Sequence, residues 1–452
     1  MIGYILLFVA LGLYFNKSYR YISLFLYISF MLGYSGGFGL WTDKVLGVKN
    51  MDLALVYTFV INGYLLLTRQ NLFRPYRNHS HVWLILYKVL IAFLLCCAVF
   101  SYVHYHFTPY QILQGERSFL LLLSLPILVR VKPVELQRIL ELCLWITVLT
   151  SVLYILQVVF GRPLMPYNGE YKLDSTVGLV RLYNSPALLD FFIIASFVCP
   201  RFFPGNVNVY RIIFFVALMM TLGRTQIFAT LLGVVLATVF TGKATTLLKA
   251  IAVLGILLLP FMEMVTQRFD EGSTSADIRS AMSGGAAEYS GGDGTLTYRM
   301  AWIYERYDYL KDRPMSEQIF GLGMISGSQP IVYKMYRFQI GLINEYGEIN
   351  QLDTPDTSYG NLLSKLGFVG MFIYLGFCIS LAVFIYRKRL ELPMMIVCAA
   401  GFVVLFIGSM SGSALSEPRN FTIYFLAVGM LYKGDLSIRH LDRKSKWMLI
   451  HK

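Results

Sequence analysis

Apolar runs of about 15–23 residues recur along the whole 452-residue chain, the length a helix needs to cross roughly 30 Å of hydrocarbon. We place such runs near residues 2–15, 21–35, 53–67, 82–101, 118–130, 139–160, 186–200, 209–223, 225–241, 245–265, 361–385, 394–411 and 421–433. Only 14% of residues are charged and the mean hydropathy is +0.59, whereas soluble domains carry about 25% charged residues. Membrane barrel strands would alternate apolar and polar residues, and these runs do not. The expected class is an all-α polytopic membrane protein of 12–13 transmembrane helices with one large extracytoplasmic loop containing short helices. Residues 1–266 hold about ten of the helices, residues 267–360 form the loop, and residues 361–452 hold the last helices and a basic cytoplasmic tail. The first run lacks a basic leader and a small-residue cleavage site, so we read it as a retained span.

The formal charge of +13 does not point to nucleic acid. Basic residues mark cytoplasmic loops, and no Gly-rich phosphate loop accompanies them. Lys17 and Arg20; Arg69, Arg74 and Arg77; Arg130, Lys132 and Arg138; Arg201 and Arg211; Lys243 and Lys249; and Arg387, Lys388 and Arg389 fall in alternate loops. Those loops and the tail are expected inside. The loops at 35–52, 102–117, 161–185, 223–225, 267–360 and 412–420 then face outward together. The six cysteines all lie in apolar runs, which argues against a disulfide-stapled outer domain and a thiolate metal site. His104 and His106 have no third ligand nearby in sequence and read as an interfacial turn. No metal site and no cofactor are expected.

The long loop divides in two. Residues 271–295 are rich in Gly, Ser, Ala and Asp and read as flexible. Residues 296–312 read as an amphipathic helix ending before Pro314. On that helix Arg299, Trp302 and Arg306 share one face. They form either a solvated face with an aromatic anchor or a bidentate clamp for an anionic head group. Arg224 stands at the outer end of a span and the start of the next. It either snorkels to the interface or binds an anion where free backbone N–H groups favour one. Asp353, Asp356, Ser358 and Tyr359 precede another span. There a carboxylate could take a proton from a sugar hydroxyl, or Asp356 or Ser358 could cap the helix. Glu417 and Arg419 flank Pro418 in an outer turn, as a local ion pair or as ligand contacts.

Three of these stretches together resemble the O-antigen polymerase and ligase superfamily, the Wzy- and WaaL-like proteins. Thr221-Leu-Gly-Arg224-Thr-Gln resembles that family's arginine-bearing approach to a helix. Tyr298-Arg299-Met-Ala-Trp302 with Phe320-Gly321-Leu-Gly323 resembles its Arg/Trp helix and following Gly-x-Gly turn. Asp356-Thr-Ser-Tyr359 with Gly367 and Gly370 resembles its third motif, with Asp356 where the ligase pattern has histidine. That departure favours a polymerase. Val180-Arg181 before Pro186 is a weaker fourth match. The resemblance covers residues 178–375.

It implies an inner-membrane glycosyltransferase acting on the periplasmic, extracytoplasmic face of bacteria. Such an enzyme polymerises undecaprenyl-pyrophosphate-linked oligosaccharide repeat units without nucleotide sugar, metal or other cofactor, as in lipopolysaccharide biosynthesis. On that reading Arg224, Arg299 and Asp356 are catalytic. Arg181, Tyr298, Trp302, Arg306, Glu417 and Arg419 bind substrate. The lipid bilayer and the lipid-linked oligosaccharide are partners, and a chain-length regulator and a flippase are the protein partners to expect. The rival readings are an O-antigen ligase that transfers polysaccharide to lipid A–core, and a polysaccharide or lipid transporter or flippase.

Overall fold

The computed structural model describes residues 2–33, 49–68, 70, 81–162, 164, 171–174, 179–182, 185–262, 295–327, 329–342 and 348–431. The bundle begins with α1 (Ile2–Tyr14), α2 (Arg20–Leu32), α3 (Asn50–Leu67), α4 (Val82–His104), α5 (Pro109–Leu120), α6 (Leu125–Leu128) and α7 (Pro133–Phe160). A small antiparallel hairpin, β1 (Tyr171–Asp174) and β2 (Leu179–Leu182), precedes α8 (Leu189–Val198), α9 (Val207–Met220), α10 (Arg224–Phe240) and α11 (Ala244–Leu258). The outer segment carries α12 (Thr295–Lys311), α13 (Met315–Phe320) and α14 (Pro330–Met335). The chain then forms α15 (Ser358–Arg387), α16 (Pro393–Gly408) and α17 (Thr422–Leu431).

Each apolar run carries helix, and the ends follow local chemistry. Pro133 and Pro393 open α7 and α16 at positions whose N–H has no helical partner. Gly161 closes α7 with φ 61°. The run 118–130 is not one helix. A 3₁₀ turn at Leu121–Ser124 separates α5 from α6, just ahead of Pro126, which lacks an N–H and crowds the preceding turn. Five helical stretches are long and apolar enough to cross a membrane: α3, α4, α7, Ala244–Phe261 and α15. The shorter apolar helices α1, α2, α8, α9, α10 and α16 have 10–17 residues. At 1.5 Å per residue these reach about 15–26 Å.

Contacts at the two ends of the bundle sort the loops. At one end Arg20 clasps Glu135 with two hydrogen bonds of 2.9 and 2.7 Å. There Arg138 covers the Tyr21 ring, Arg130 donates to Gln70, and Phe240 meets Tyr386. The helices α4 and α15 run antiparallel, with Trp83 against Phe384 at this same end. At the opposite end the Met324 N–H donates to Ser101 Oγ, the Leu322 N–H to the Ser364 carbonyl and the Ser358 N–H to the Ser409 carbonyl. The basic loops among the described residues therefore gather at one end, and the described residues of 295–357 cover the other. The Gly/Ser-rich stretch 271–294, the arginines Arg69, Arg74 and Arg77 and the tail from residue 432 lie outside the described residues.

Candidate active site

The predicted loop helix is α12, and its Arg299–Trp302–Arg306 stripe faces inward. Trp302 lies against Gly360 near the start of α15. A Cβ at Gly360 would stand 2.0 Å from Trp302 Cζ3, so only glycine fits beneath the indole. Arg306 is a correction to the expected head-group clamp. Its side chain has no exposed surface. Nη1 donates to the Ile340 carbonyl at 2.7 Å and to Glu305 Oε2 at 2.6 Å, and Nη2 donates to the Gln351 carbonyl at 3.0 Å. The guanidinium sits 3.9 Å from the Trp302 ring centre and 4.3 Å from that of Phe338. Burial pulls its pKa down to about 9. Arg306 is thus a bolt between α12 and the segments that carry Phe338, Ile340 and Gln351. Glu305 also accepts from the Gln339 and Ile340 N–H groups.

The two glycine motifs meet. Gly321 ends α13 with φ 82°, and Gly367 interrupts α15 with φ 66° and ψ −171°. A Cβ on either would come within 2.7 Å of the other's backbone N. Leu322 donates to the Ser364 carbonyl, a group the break in α15 would otherwise leave unpaired. Gly370, three residues on, is packed against Phe93, which stacks on Phe320.

This crossing fixes the height of α12 over the first turns of α15, which Asp356 precedes by two residues. Thr357, not Asp356, occupies the helix-cap position, and it makes no side-chain cap. Burial raises the Asp356 carboxyl above the ordinary carboxylate range, and the Arg299 charge and the Thr354 hydroxyl hold it down. Two candidates separated widely in sequence are therefore within electrostatic reach of each other. Asp353 is committed elsewhere: it pairs with Lys365 at 2.7 Å and accepts from the Gly327 N–H at 2.7 Å. The Ser358 hydroxyl donates to the Gly412 carbonyl and accepts from the Leu415 N–H, tying the 409–415 turn to the site. Just beyond that turn Glu417 forms the local pair, accepting from Arg419 Nε at 2.6 Å and from Ser413 Oγ at 2.7 Å.

Arg224 opens α10 at the same end of the bundle, since α10 meets α15 at Phe240–Tyr386 and thus begins where α15 begins. Leu222 just before it and Leu188 before α8 both adopt positive φ, 52° and 61°, uncommon for non-glycine residues. Arg181 pairs with Lys172 across the hairpin, and its side chain lies outside the described residues. Tyr298 is half-buried on α12 beside Arg299. His104 reaches Glu317 at 3.2 Å, and Arg313 holds the same carboxylate at 2.7 Å, joining α4 to α13.

Sequence reading missed Asp190, Glu305 and Gln351, and took Gln226 only as part of the Arg224 motif. Asp190 sits in an apolar run that reads as span. The only signal for it is a lone carboxylate inside that run. Compared with known families, residues 209–375 match the model described as O-antigen ligase. That stretch takes in α10, the whole outer segment, Asp356 and the Gly367 break. No curated protein matches the chain.

Proposed function

We propose that this multi-pass membrane protein, whose residues 209–375 match the O-antigen ligase family model, is a glycosyl-transfer enzyme that polymerises undecaprenyl-pyrophosphate-linked repeat units. It works at the outer face of the bacterial inner membrane. What supports this reading is that α12 packs on the start of α15 through Trp302 and Gly360, with Arg299 near enough to Asp356 for its charge to hold the carboxyl pKa down. The leaving group is a pyrophosphate, so the main electrostatic task is to stabilise its growing negative charge. Arg299 and Arg224 supply that positive charge. Asp356 takes the proton of the acceptor hydroxyl as its oxygen attacks the anomeric carbon. The new C–O bond forms, the bond to phosphate breaks, and the configuration inverts. Burial suits Asp356 to this step by bringing its proton affinity closer to neutrality.

Arg224→Ala and Arg299→Ala should each nearly abolish polymer while the protein stays inserted. Lysine at either position loses the two-pronged geometry and restores part of the activity at best. Polymer ladders from cells carrying these variants test the reading, and a near-normal ladder from Arg299→Ala sinks it. The family description supports ligation as a second reading. Incubation with lipid-linked repeats and a lipid A–core acceptor separates the two: a ladder on the carrier lipid means polymerase, transfer to the core means ligase.

A further inference from the structure

The first turns of α8 and α10 enclose a polar knot that none of the steps above uses. Thr230 Oγ1 donates to Asp190 Oδ1 at 2.8 Å, and Gln226 Nε2 reaches that oxygen at 3.4 Å and the Ser185 hydroxyl at 3.2 Å. The contacts to Asp190 thus fall on one carboxylate oxygen. A carboxylate has room for about four hydrogen bonds. Among the described residues no cation pairs with Asp190, and no donor reaches its Oδ2 or the Gln226 side-chain oxygen. A charge among apolar helices without further compensation is unfavourable.

The free acceptors identify what would complement them. Two acceptor oxygens and a hydroxyl side by side fit a ligand with several neutral O–H groups on neighbouring carbons, as a sugar ring has. A phosphate offers no such donors and would be repelled by Asp190. Arg224 begins the same helix as Gln226 and Thr230, with Thr230 six residues further along, about 9 Å down the axis. We propose that Asp190, Gln226 and Ser185 form a sugar-hydroxyl subsite at the outer mouth of α8 and α10, adjoining the pyrophosphate contact of Arg224. The subsite rests on the glycosyl-transfer reading and assigns the glycan half of the donor to residues outside the three motifs.

The test uses the full chain in nanodiscs and two probes. One is undecaprenyl pyrophosphate, and the other is the lipid-linked oligosaccharide that accumulates in cells lacking this protein. Asp190→Asn keeps an oxygen for Thr230, so it preserves the α8–α10 strut while changing the free acceptor. It should weaken the glycan-bearing probe about ten- to hundredfold and leave undecaprenyl pyrophosphate unchanged. Arg224→Ala should weaken both probes. Thr230→Val removes the strut but spares the free oxygen, and should leave the ratio of the two affinities unchanged. Equal weakening of both probes by Asp190→Asn, or no weakening of either, overturns the subsite. A wild-type protein that binds neither probe overturns the glycosyl-transfer reading along with it.

Discussion

Replacing Gly367 by alanine should detach the outer segment from α15 while the helical bundle stays folded. The backbone there has φ 66° and ψ −171°, a region open almost only to glycine, and holding another residue in it costs about 1–3 kcal/mol. The new methyl would also meet Gln318 O and Gly321 N at 2.6 Å and Ile319 O at 2.7 Å. All three are backbone atoms, so none can swing away as a side chain could. Overpacking of this kind adds about another 1–3 kcal/mol. The cheapest relief is for α13 to lift, which breaks the Leu322–Ser364 hydrogen bond. Hydrogen exchange should report this as fast exchange at Leu322 with the cores of α4 and α15 still protected. Gly255→Ala is the control, because nothing lies within 4 Å of its added carbon. It sits inside helix α11, where alanine is favoured by about 0.5–1 kcal/mol. Unchanged exchange at Leu322 in Gly367→Ala would refute the idea that this crossing holds the loop in place.

Further outcomes follow from the site and from the topology. Asp356→Asn should lower the rate about 10²–10⁴-fold with donor binding retained. In the wild type, activity should rise with pH through a value above the usual carboxylate range, because burial raises the Asp356 pKa. Arg299 lowers that pKa, so removing Arg299 should move the acid limb of any residual activity upward, as a pH profile would register. Arg306→Met leaves the Ile340 and Gln351 carbonyls and Glu305 without their shared donor. Breaking such a buried pair costs about 3–5 kcal/mol, and thermal unfolding in detergent should reveal it. An impermeant thiol reagent applied from outside should label Ser283→Cys and spare Lys388→Cys; the reverse pattern would invert the proposed orientation.

Helix positions were legible because hydropathy and proline punctuation act locally. The stripe of Arg299, Trp302 and Arg306 was legible as one face, since helical spacing fixes it. Its direction was not. A guanidinium is turned inward only because Phe338, Ile340 and Gln351 come from another part of the chain to meet it. The glycines at 321 and 367 stood out as motifs, yet their shared reason is a backbone crossing between segments 46 positions apart in sequence, which no local pattern encodes. Asp190 escaped notice because one acidic residue scarcely alters the hydropathy of the run around it.

The wedge of Trp302 between Gly360 and Arg306 bears on how a substrate arrives. Helix α12 cannot swing aside without pulling an indole and a guanidinium out of their seats together. The wall it forms is therefore in place before any lipid-linked glycan approaches. On the proposed reading, capture then includes no ordering of α12. Any share of α12 in glycan preference then comes from the standing side chains along that wall more than from its dynamics.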